Sequence, residues 1–580
     1  MKGSITALQH ARQAVILLRA RTARTLITPD GDPLMSETRH SLCDAVDGEI
    51  LMTHMREVAR WVKLSGTPDE LTSLRYFQAR LDEYGYRTEL LSHDAYVSLP
   101  GAARVDVDNQ TLTAITHSFS RGAPGAGVTG RLVYVGDGED ADFARADVRG
   151  AIVLTEGIAS PGQAARSSRA GALGQIQISP HEHLHEMCVS PVWGSPSRET
   201  IGNLPSTVVC TVSQANGAML RERLSRGEQP RVALHAQVDT GWRKTPILVA
   251  DLDGPTPDAP FILFSGHHDT WHYGVMDNGG ANATMLESAR QLARDKATWQ
   301  RGLRLCFWSG HSHGRYSGST WYADQHWVEL EQRCAVHVNV DSTGGIGATI
   351  LHNTAAAPEL VALAADAIGT QAGQTYVGKR MSRSSDQSFW GIGIPAMYGA
   401  LSEQPPAPVK MRNALGWWWH TPHDTLDKID AANLVRDTKV YVHTLHRLLT
   451  DAVLPLDFAA HAQGLLKELA ALQEGLGDRF DLGSLTAAAE ILRARAAAGK
   501  STDQALMRAS RALDPLYYTT GDRFTHDPAL PLPEWPVLQP LRDLAATDSQ
   551  CDDARFLTVS ATRTRNRLLH ALRAAATALA

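Results

Sequence analysis

Residues 261–278 read FILFSGHHDTWHYGVMDN, and this stretch decides the fold. It opens on four apolar residues, Phe261-Ile262-Leu263-Phe264, the length of a buried strand. His267, His268 and Asp269 follow, and Asp277-Asn278 comes eight residues after Asp269. Gly279-Gly280 then lead into 281–292, whose apolar spacing predicts a helix. A strand that delivers imidazole and carboxylate at its carboxyl end is how an open α/β sheet builds a site. Nitrogen donors mixed with hard oxygen suit zinc or a similar divalent ion, manganese included. Helix-capping aspartates and polar loop histidines would explain the same stretch without a metal, so the later segments decide.

Those segments repeat the pattern. Between 246 and about 449 strand-like runs at 261–264, 303–308, 335–340 and 395–398 alternate with helical spacing, and 431–449 closes the set as a helix. This predicts an α/β fold with a mixed, mainly parallel sheet covered by helices on both faces. Each later strand also ends in a candidate ligand. Gly310-His311-Ser312-His313-Gly314 follows the second, and Asp341 ends the third within HVNVDSTGG. Ser385-Asp386 precedes Gly393-Ile394-Pro395, and Trp419-His420-Thr421-Pro422-His423-Asp424-Thr425 precedes the closing helix.

The rest of the chain sets bounds. At 580 residues it is too long for one core. Residues 37–100 are mainly helical, with amphipathic segments at 50–64 and 71–84 and a short strand at 87–91. Residues 105–240 turn to short β-rich runs (130–135, 150–154, 207–209) between Gly and Pro turns, as an inserted domain would. From about 457 the chain is helical, and Leu465, Leu466, Leu469, Leu472 and Leu476 keep one face apolar. A net charge of −6 gives no electrostatic case for nucleic acid or an anionic membrane, and no apolar run approaches the roughly 20 residues of a spanning helix. Six cysteines without CxxC spacing fit a reducing compartment, and a cytoplasmic location is expected. The first 29 residues carry arginines and no acid, superficially like a transit peptide; Met35 is an alternative start.

The motifs GHHDTW…DN, NVDS, SDQSF…GIP and HTPHDTLDKID resemble the co-catalytic zinc aminopeptidases, most closely the glutamate carboxypeptidase and transferrin-receptor branch. The resemblance runs over about 45–575. It implies an N-terminal extension (1–36), a metallopeptidase domain split into 37–104 and 241–455, a protease-associated-like insert (105–240) and a helical dimerisation-like domain (456–580). It also implies a homodimer through that last domain and a small-molecule or short-peptide substrate. Carried over residue by residue, it gives His267 and Asp341 to one metal, Asp277 as the bridge and His420 to a second metal. Asp269 is then the carboxylate that orients the ligands, and Asp386 an acid beside the substrate. Arg383, Tyr398 and Trp419 are further candidates for substrate contact.

One departure matters. The family has a Glu-Glu pair after the strand that here ends in Trp308, the first as general base and the second as ligand. Counting from Trp308 puts His311 and Ser312 there; counting back from Gly318-Ser319 puts Ser312 and His313. Imidazole both ligates zinc and transfers protons near neutral pH. One of His311 and His313 would therefore complete the site while the other handles protons. The expected activity is metal-dependent hydrolysis of an amide or peptide bond by one or two divalent ions. A catalytically inactive binding protein on the same scaffold, or a cyclase or deacylase acting on an unusual amide, are the alternatives.

Two lesser signals need weighing. His181-Glu182-His183-Leu184-His185 satisfies HExxH, but it follows Pro180 inside the β-rich insert, so a loop over the mouth of the site is expected rather than a zinc helix. Trp417-Trp418-Trp419 either line an apolar pocket or pack under the closing helix.

Overall fold

The computed structural model describes residues 33–381, 383–407, 414–499 and 501–580. Most of the expected N-terminal extension, 1–32, lies outside these residues, and 33–36 already belong to the helix Pro33–Asp44. The strands are β1 (Arg87–Val107), β2 (Gln110–Thr116), β3 (Ala123–Tyr134), β4 (Ile152–Glu156), β5 (Gly174–Ile178) and β6 (Val208–Val212). They continue with β7 (Arg231–Leu252), β8 (Phe261–His267), β9 (Gly302–Trp308), β10 (Cys334–Asn339) and β11 (Ala396–Met397).

The α/β core is the order β7-β9-β8-β10-β11. Strands β9, β8, β10 and β11 run parallel, and β7 is antiparallel to β9. Every residue of β8, β9 and β10 is buried, as continuous apolar runs covered on both faces require. The helices Ala281–Ala293 and Ala431–Thr450 pack in the main hydrophobic cluster, with Leu286, Leu292, Leu434, Leu445 and Leu448 fully buried.

The sequence expectation of a short strand at 87–91 is too short. β1 runs for 21 residues because β7 lies antiparallel beside it almost throughout, with one irregularity between Pro100 and Ala103. These two strands also belong to the β-rich region. There β1-β2-β6-β5-β4-β3-β7 pair in sequence and β7 returns to β1, so the seven strands close on themselves. Closure leaves no free edge, and Val105, Ile152, Ile176, Val208 and Val232 fill the interior.

The helix expected over 50–64 is Gly48–Val58, started by Asp47, whose carboxylate accepts the amides of Glu49 and Ile50. It stops early because the segment after it serves the site. The buried Lys63 ammonium donates to the carbonyls of Trp61 and Tyr273 at 3.1 and 2.9 Å, and Ser65 reaches Asp269. Burial pushes Lys63 down to about 7, with Asp424 opposing. The next helix, Pro68–Glu83, has Thr67 as its cap and Pro68 in its first turn.

The C-terminal region is helical throughout: Phe458–Leu476, Gly483–Ala497, Asp503–Tyr518, Gln539–Ala546 and Asp552–Ala578. It is sealed to the core by Arg511, whose guanidinium donates to the carbonyls of Gly393, Cys334, Leu330 and Glu331 at 2.6 to 3.2 Å. Arg301 does the same from the core side, gripping Asp503 with two hydrogen bonds. Among the described residues no helix is long and apolar enough to cross a membrane.

Replacing Arg511 by Met leaves four buried carbonyls short of a donor, each loss costing about 1 kcal/mol or more. Arg511→Met should lower the melting temperature by several degrees in a thermal melt at unchanged far-UV circular dichroism. A melt superimposable on that of the unaltered chain would show that the seam does not depend on this residue.

Candidate metal site

The three parallel strands β8, β9 and β10 end at one edge of the sheet, and the candidate ligands gather there. His267 is the last residue of β8. Its Nδ1 donates to the backbone carbonyl of Asp269 at 2.8 Å, which leaves Nε2 as an acceptor. That Nε2 lies 3.1 Å from Asp277 Oδ1 and 3.7 Å from Asp341 Oδ1. His420 is arranged the same way. Its Nδ1 donates to the carbonyl of Glu186 at 2.7 Å, and its Nε2 lies 2.9 Å from Asp277 Oδ2. Each oxygen of the Asp277 carboxylate therefore faces the unprotonated nitrogen of an imidazole whose tautomer is set by a backbone carbonyl.

Acceptors facing acceptors in a buried site need a cation between them. The protein's own alternative is a proton. Burial alone would lower the His267 pKa, yet Asp277 and Asp341 hold it well above its ordinary value. At Asp277 burial is outweighed by His267 and His420, which drive the carboxyl far below its usual range. Two imidazole nitrogens and two carboxylates are also the donor set of zinc and its neighbours, so the residues fit a divalent ion.

Supporting contacts fix this arrangement. The carboxylate of Asp424 accepts the amides of Met276 and Asp277 at 2.8 and 3.0 Å, which sets the turn carrying the bridging residue. Burial pushes Asp424 up to about 7. The sequence reading quoted Asp424 within HTPHDTLDKID but gave it no role; its spacing four residues after His420 was the available signal. Asn282 donates to the His267 carbonyl at 2.7 Å. Asp341 accepts from Ser342 and Ser385, both at 3.0 Å. His268, one residue past His267, points to the opposite side of the strand and meets the edge of Phe77, where burial drops its pKa to about 3.

The loop after β9 resolves the ambiguity left by its sequence. Asp269 clamps it, with Oδ1 accepting the amide of His311 at 3.1 Å and Oδ2 the amide of Ser312 at 2.9 Å. His311 is thereby stacked on His267, ring centroids 3.7 Å apart. One ring nitrogen of each and an Asp341 oxygen all lie within 4.8 Å of one another. The other contact of His311 is Nδ1 to Asp386 Oδ2 at 2.8 Å, and Ser319 donates to Asp386 Oδ1 at 2.8 Å. Ser312 is buried without a hydrogen-bond partner for its hydroxyl among the described residues. His313, expected as a ligand or proton carrier, does not join the cluster: its Nδ1 lies 3.0 Å from the Ser65 hydroxyl and 3.8 Å from Asp269. No sequence motif flagged Ser65, which donates to Asp269 Oδ2 at 2.7 Å.

The expected substrate contacts separate. Tyr398 does not face the cluster; it follows the two-residue strand β11 at a positive φ and is wholly buried in the main core, its hydroxyl 2.9 Å from Thr444 on the closing helix. Arg383 lies over the Trp193 ring and donates to the carbonyl of Asp527 at 2.8 Å, so its charge joins the β-rich region to the C-terminal segment. Trp419 stacks on His420, centroids 3.4 Å apart, and Asp386 holds His311. The tryptophan run divides between its two expected uses. Trp418 is buried in the main core, whereas Trp417 stacks on His183.

The HExxH stretch is a loop. Glu182 is exposed, at 79% of its side-chain surface. His181 Nδ1 accepts the His183 amide, and its Nε2 lies 3.0 Å from His185 Nε2, whose Nδ1 bonds the Trp419 carbonyl. That chain satisfies both imidazoles with hydrogen bonds alone. The loop leans over the cluster, with Glu186 donating its amide to the His420 carbonyl at 3.0 Å.

Comparison with known proteins accords with this geometry. Residues 248–445, which include each of the clustered side chains from His267 to His420, match the model described as peptidase family M28. The chain's core is that of peptidase family M28. Similar curated proteins include the probable glutamate carboxypeptidase AMP1 of Arabidopsis thaliana, 23% identical over 67% of this chain and 68% of that one. Another is the probable glutamate carboxypeptidase VP8 of Zea mays, 21% identical over 72% and 69%. Among solved structures, a peptidase M28 precursor from Shewanella amazonensis superposes with a TM-score of 0.58 at 18% identity, covering 73% of this chain and 98% of that one. An aminopeptidase from Aneurinibacillus sp. strain AM-1 gives 0.55 at 21%, covering 71% and 96%. These likenesses show the M28 aminopeptidase fold.

If Asp277 holds an ion, His267→Ala and Asp277→Ala should each lose the metal equivalent bound at the strand ends, and Asp424→Asn should weaken its binding about 10- to 100-fold. Elemental analysis after dialysis and a competitive chelator titration measure both. Metal content unchanged in His267→Ala and Asp277→Ala would remove the site.

Proposed function

We propose that this M28 chain is a metal-dependent hydrolase of peptide or related amide bonds in which His311, held by Asp386, takes the place of the glutamate base. Its family and the zinc aminopeptidase fold support the reaction class. The observation that carries the atypical base is the 2.8 Å contact between His311 Nδ1 and the fully buried Asp386, made while the ring stacks on His267.

The ion would be held by His267, Asp277 and Asp341, with His420 on the far oxygen of Asp277. A divalent ion there supplies Lewis acidity to the scissile carbonyl and the attacking water. The remaining work falls to side chains. Asp386 fixes the His311 tautomer with Nδ1 protonated, so Nε2 is the free base, the same logic by which a carboxylate orients a catalytic imidazole elsewhere. His311 Nε2 accepts the proton of the attacking water and returns it to the leaving amine. Asp269 keeps His311 in place through its backbone amide. The 181–186 loop, Trp417 and Trp419 form a partly aromatic wall, and a substrate that is a short peptide or an N-acylated small molecule would lie against it. The closed ring of strands acts, in this reading, as the protease-associated-like insert, and the C-terminal helices as a dimerisation surface.

A second reading, ring closure by an internal amine rather than attack by water, is favoured by one observation. The far side of Asp277 offers His420 alone, since Ser312 brings no carboxylate, and a single ion with a proton-shuttling imidazole suffices for cyclisation.

His311→Ala should reduce kcat by about 100-fold or more, the usual contribution of a general base, while leaving metal content intact. Asp386→Asn should reduce kcat less and shift the pH profile. His311→Glu, which restores the family residue, should retain activity. Turnover of short peptides and N-acyl amino acids followed by mass spectrometry checks all three and separates cleavage fragments from a cyclised product. Wild-type rates in His311→Ala would rule out the assigned base.

A further inference from the structure

Behind the sheet, where the C-terminal helices meet the α/β core, a second set of metal-ligating side chains converges. Glu359 comes from the short turn Pro358–Leu360, His461 from the helix Phe458–Leu476 and Asp514 from the helix Asp503–Tyr518. All three are buried to within 1% of their side-chain surface. One ligand atom from each lies within 4.8 Å of the other two. His461 Nδ1 is the hub, 2.8 Å from Glu359 Oε2 and 3.9 Å from Asp514 Oδ1. Glu359 Oε1 and both oxygens of Asp514 have no hydrogen-bond partner among the described residues. Phe458, Tyr517 and Trp535 surround the imidazole, so the setting is apolar.

We infer that Glu359, His461 and Asp514 form a second divalent-cation site, of zinc type, that ties the C-terminal helices to the core independently of the strand-end site. Charge decides in its favour. Two ionised carboxylates with a neutral imidazole carry −2, which a divalent ion cancels within a pocket that water does not reach. A nitrogen and two carboxylates are three of the four ligands that zinc takes, and the unpartnered oxygens supply further lone pairs. The competing arrangement is a proton shared between the two carboxyls. One shared proton, however, occupies a single oxygen on each carboxyl and leaves the second Asp514 oxygen unpaired.

The ion also accounts for why this seam carries three polar residues at all. Three segments distant in sequence are each pinned to one point, and the backbone supports them: the Asp457 amide donates to the Glu359 carbonyl at 2.9 Å, just before the helix bearing His461. An apolar trio would pack the seam without orienting it.

The deciding experiment is anomalous diffraction at the zinc edge from crystals of the full-length chain grown with excess zinc. The expected result is a peak bounded by His461 Nδ1, Glu359 and Asp514, separate from any peak at His267 and Asp277. In solution, His461→Gln and Asp514→Asn should each lower the zinc-to-protein ratio by one equivalent, and His267→Ala should leave that equivalent bound. No anomalous density at these three side chains overturns the inference in favour of the shared proton, whatever the variants do. Density there alone would uphold it even if the strand-end site proved empty.

Discussion

The two oxygens of Asp277 each face the Nε2 of an imidazole whose Nδ1 is bound to a backbone carbonyl, and the surrounding structure exists to keep them there. Without a proton or a metal ion between them the contact would be acceptor against acceptor in a buried site. It is held because each partner is fixed from behind by a different part of the chain: His267 by the Asp269 carbonyl, His420 by the Glu186 carbonyl and Asp277 by the Asp424 carboxylate on two amides. Three backbone or carboxylate anchors, set before any ligand arrives, make the site pre-organised for a cation.

One of those anchors, Glu186, explains why the β-rich region is built into the core sheet rather than hung from it. β1 and β7 are shared by the closed ring and the open sheet, so the ring has a fixed bearing on the strand ends. From that ring the 181–186 loop delivers the Glu186 carbonyl to His420 and the His185 ring to the Trp419 carbonyl. The loop that imitates a zinc motif in sequence is thus a brace for a ligand of the other site. Its histidines satisfy one another because burial favours their neutral forms, lowering His185 to about 3.

Much of this was legible in the chain, and the reasons for the gaps are physical. The strands ending in His267 and Asp341 announced themselves because parallel strands buried on both faces must be continuous apolar runs. The helices at 281 and 431 carried clear periodicity. The long β1–β7 ribbon did not, because its residues alternate irregularly between core, ring and solvent, and a Pro-Gly pair in the middle reads as a turn. At the site, the grouping of His267, Asp277, Asp341 and His420 was carried by the resemblance of their motifs to the zinc aminopeptidases. The loop at 310–314 could not be placed by counting, since two registers fit; in the fold Asp269 binds the amides of His311 and Ser312, and the His311 ring stacks on His267. Tyr398 failed as a substrate contact because it lies just past β11 at a positive φ, with its ring packed in the main core against Tyr441. Ser65 lay in a segment without any motif, and Glu186 just past the HExxH stretch; both were found only by their contacts.

His311 and Ser312, at the place where the resemblance would put a glutamate pair, bear first on the charge of the proposed centre. With both glutamates, the strand-end cluster would hold four carboxylates able to face an ion; here it holds two, Asp277 and Asp341. Asp269 and Asp386 do not add to that count, because the first is consumed by two loop amides and the Ser65 hydroxyl and the second by His311 and Ser319. Two carboxylates with neutral imidazoles balance one divalent ion and leave a second without compensating charge in a buried site, where uncompensated charge is costly. The donors agree, since His267, His311 and Asp341 gather on one side while His420 faces the second Asp277 oxygen. The charge balance therefore favours one ion in the proposed centre, and the Asp386 contact fixes the orientation of the His311 ring beside it.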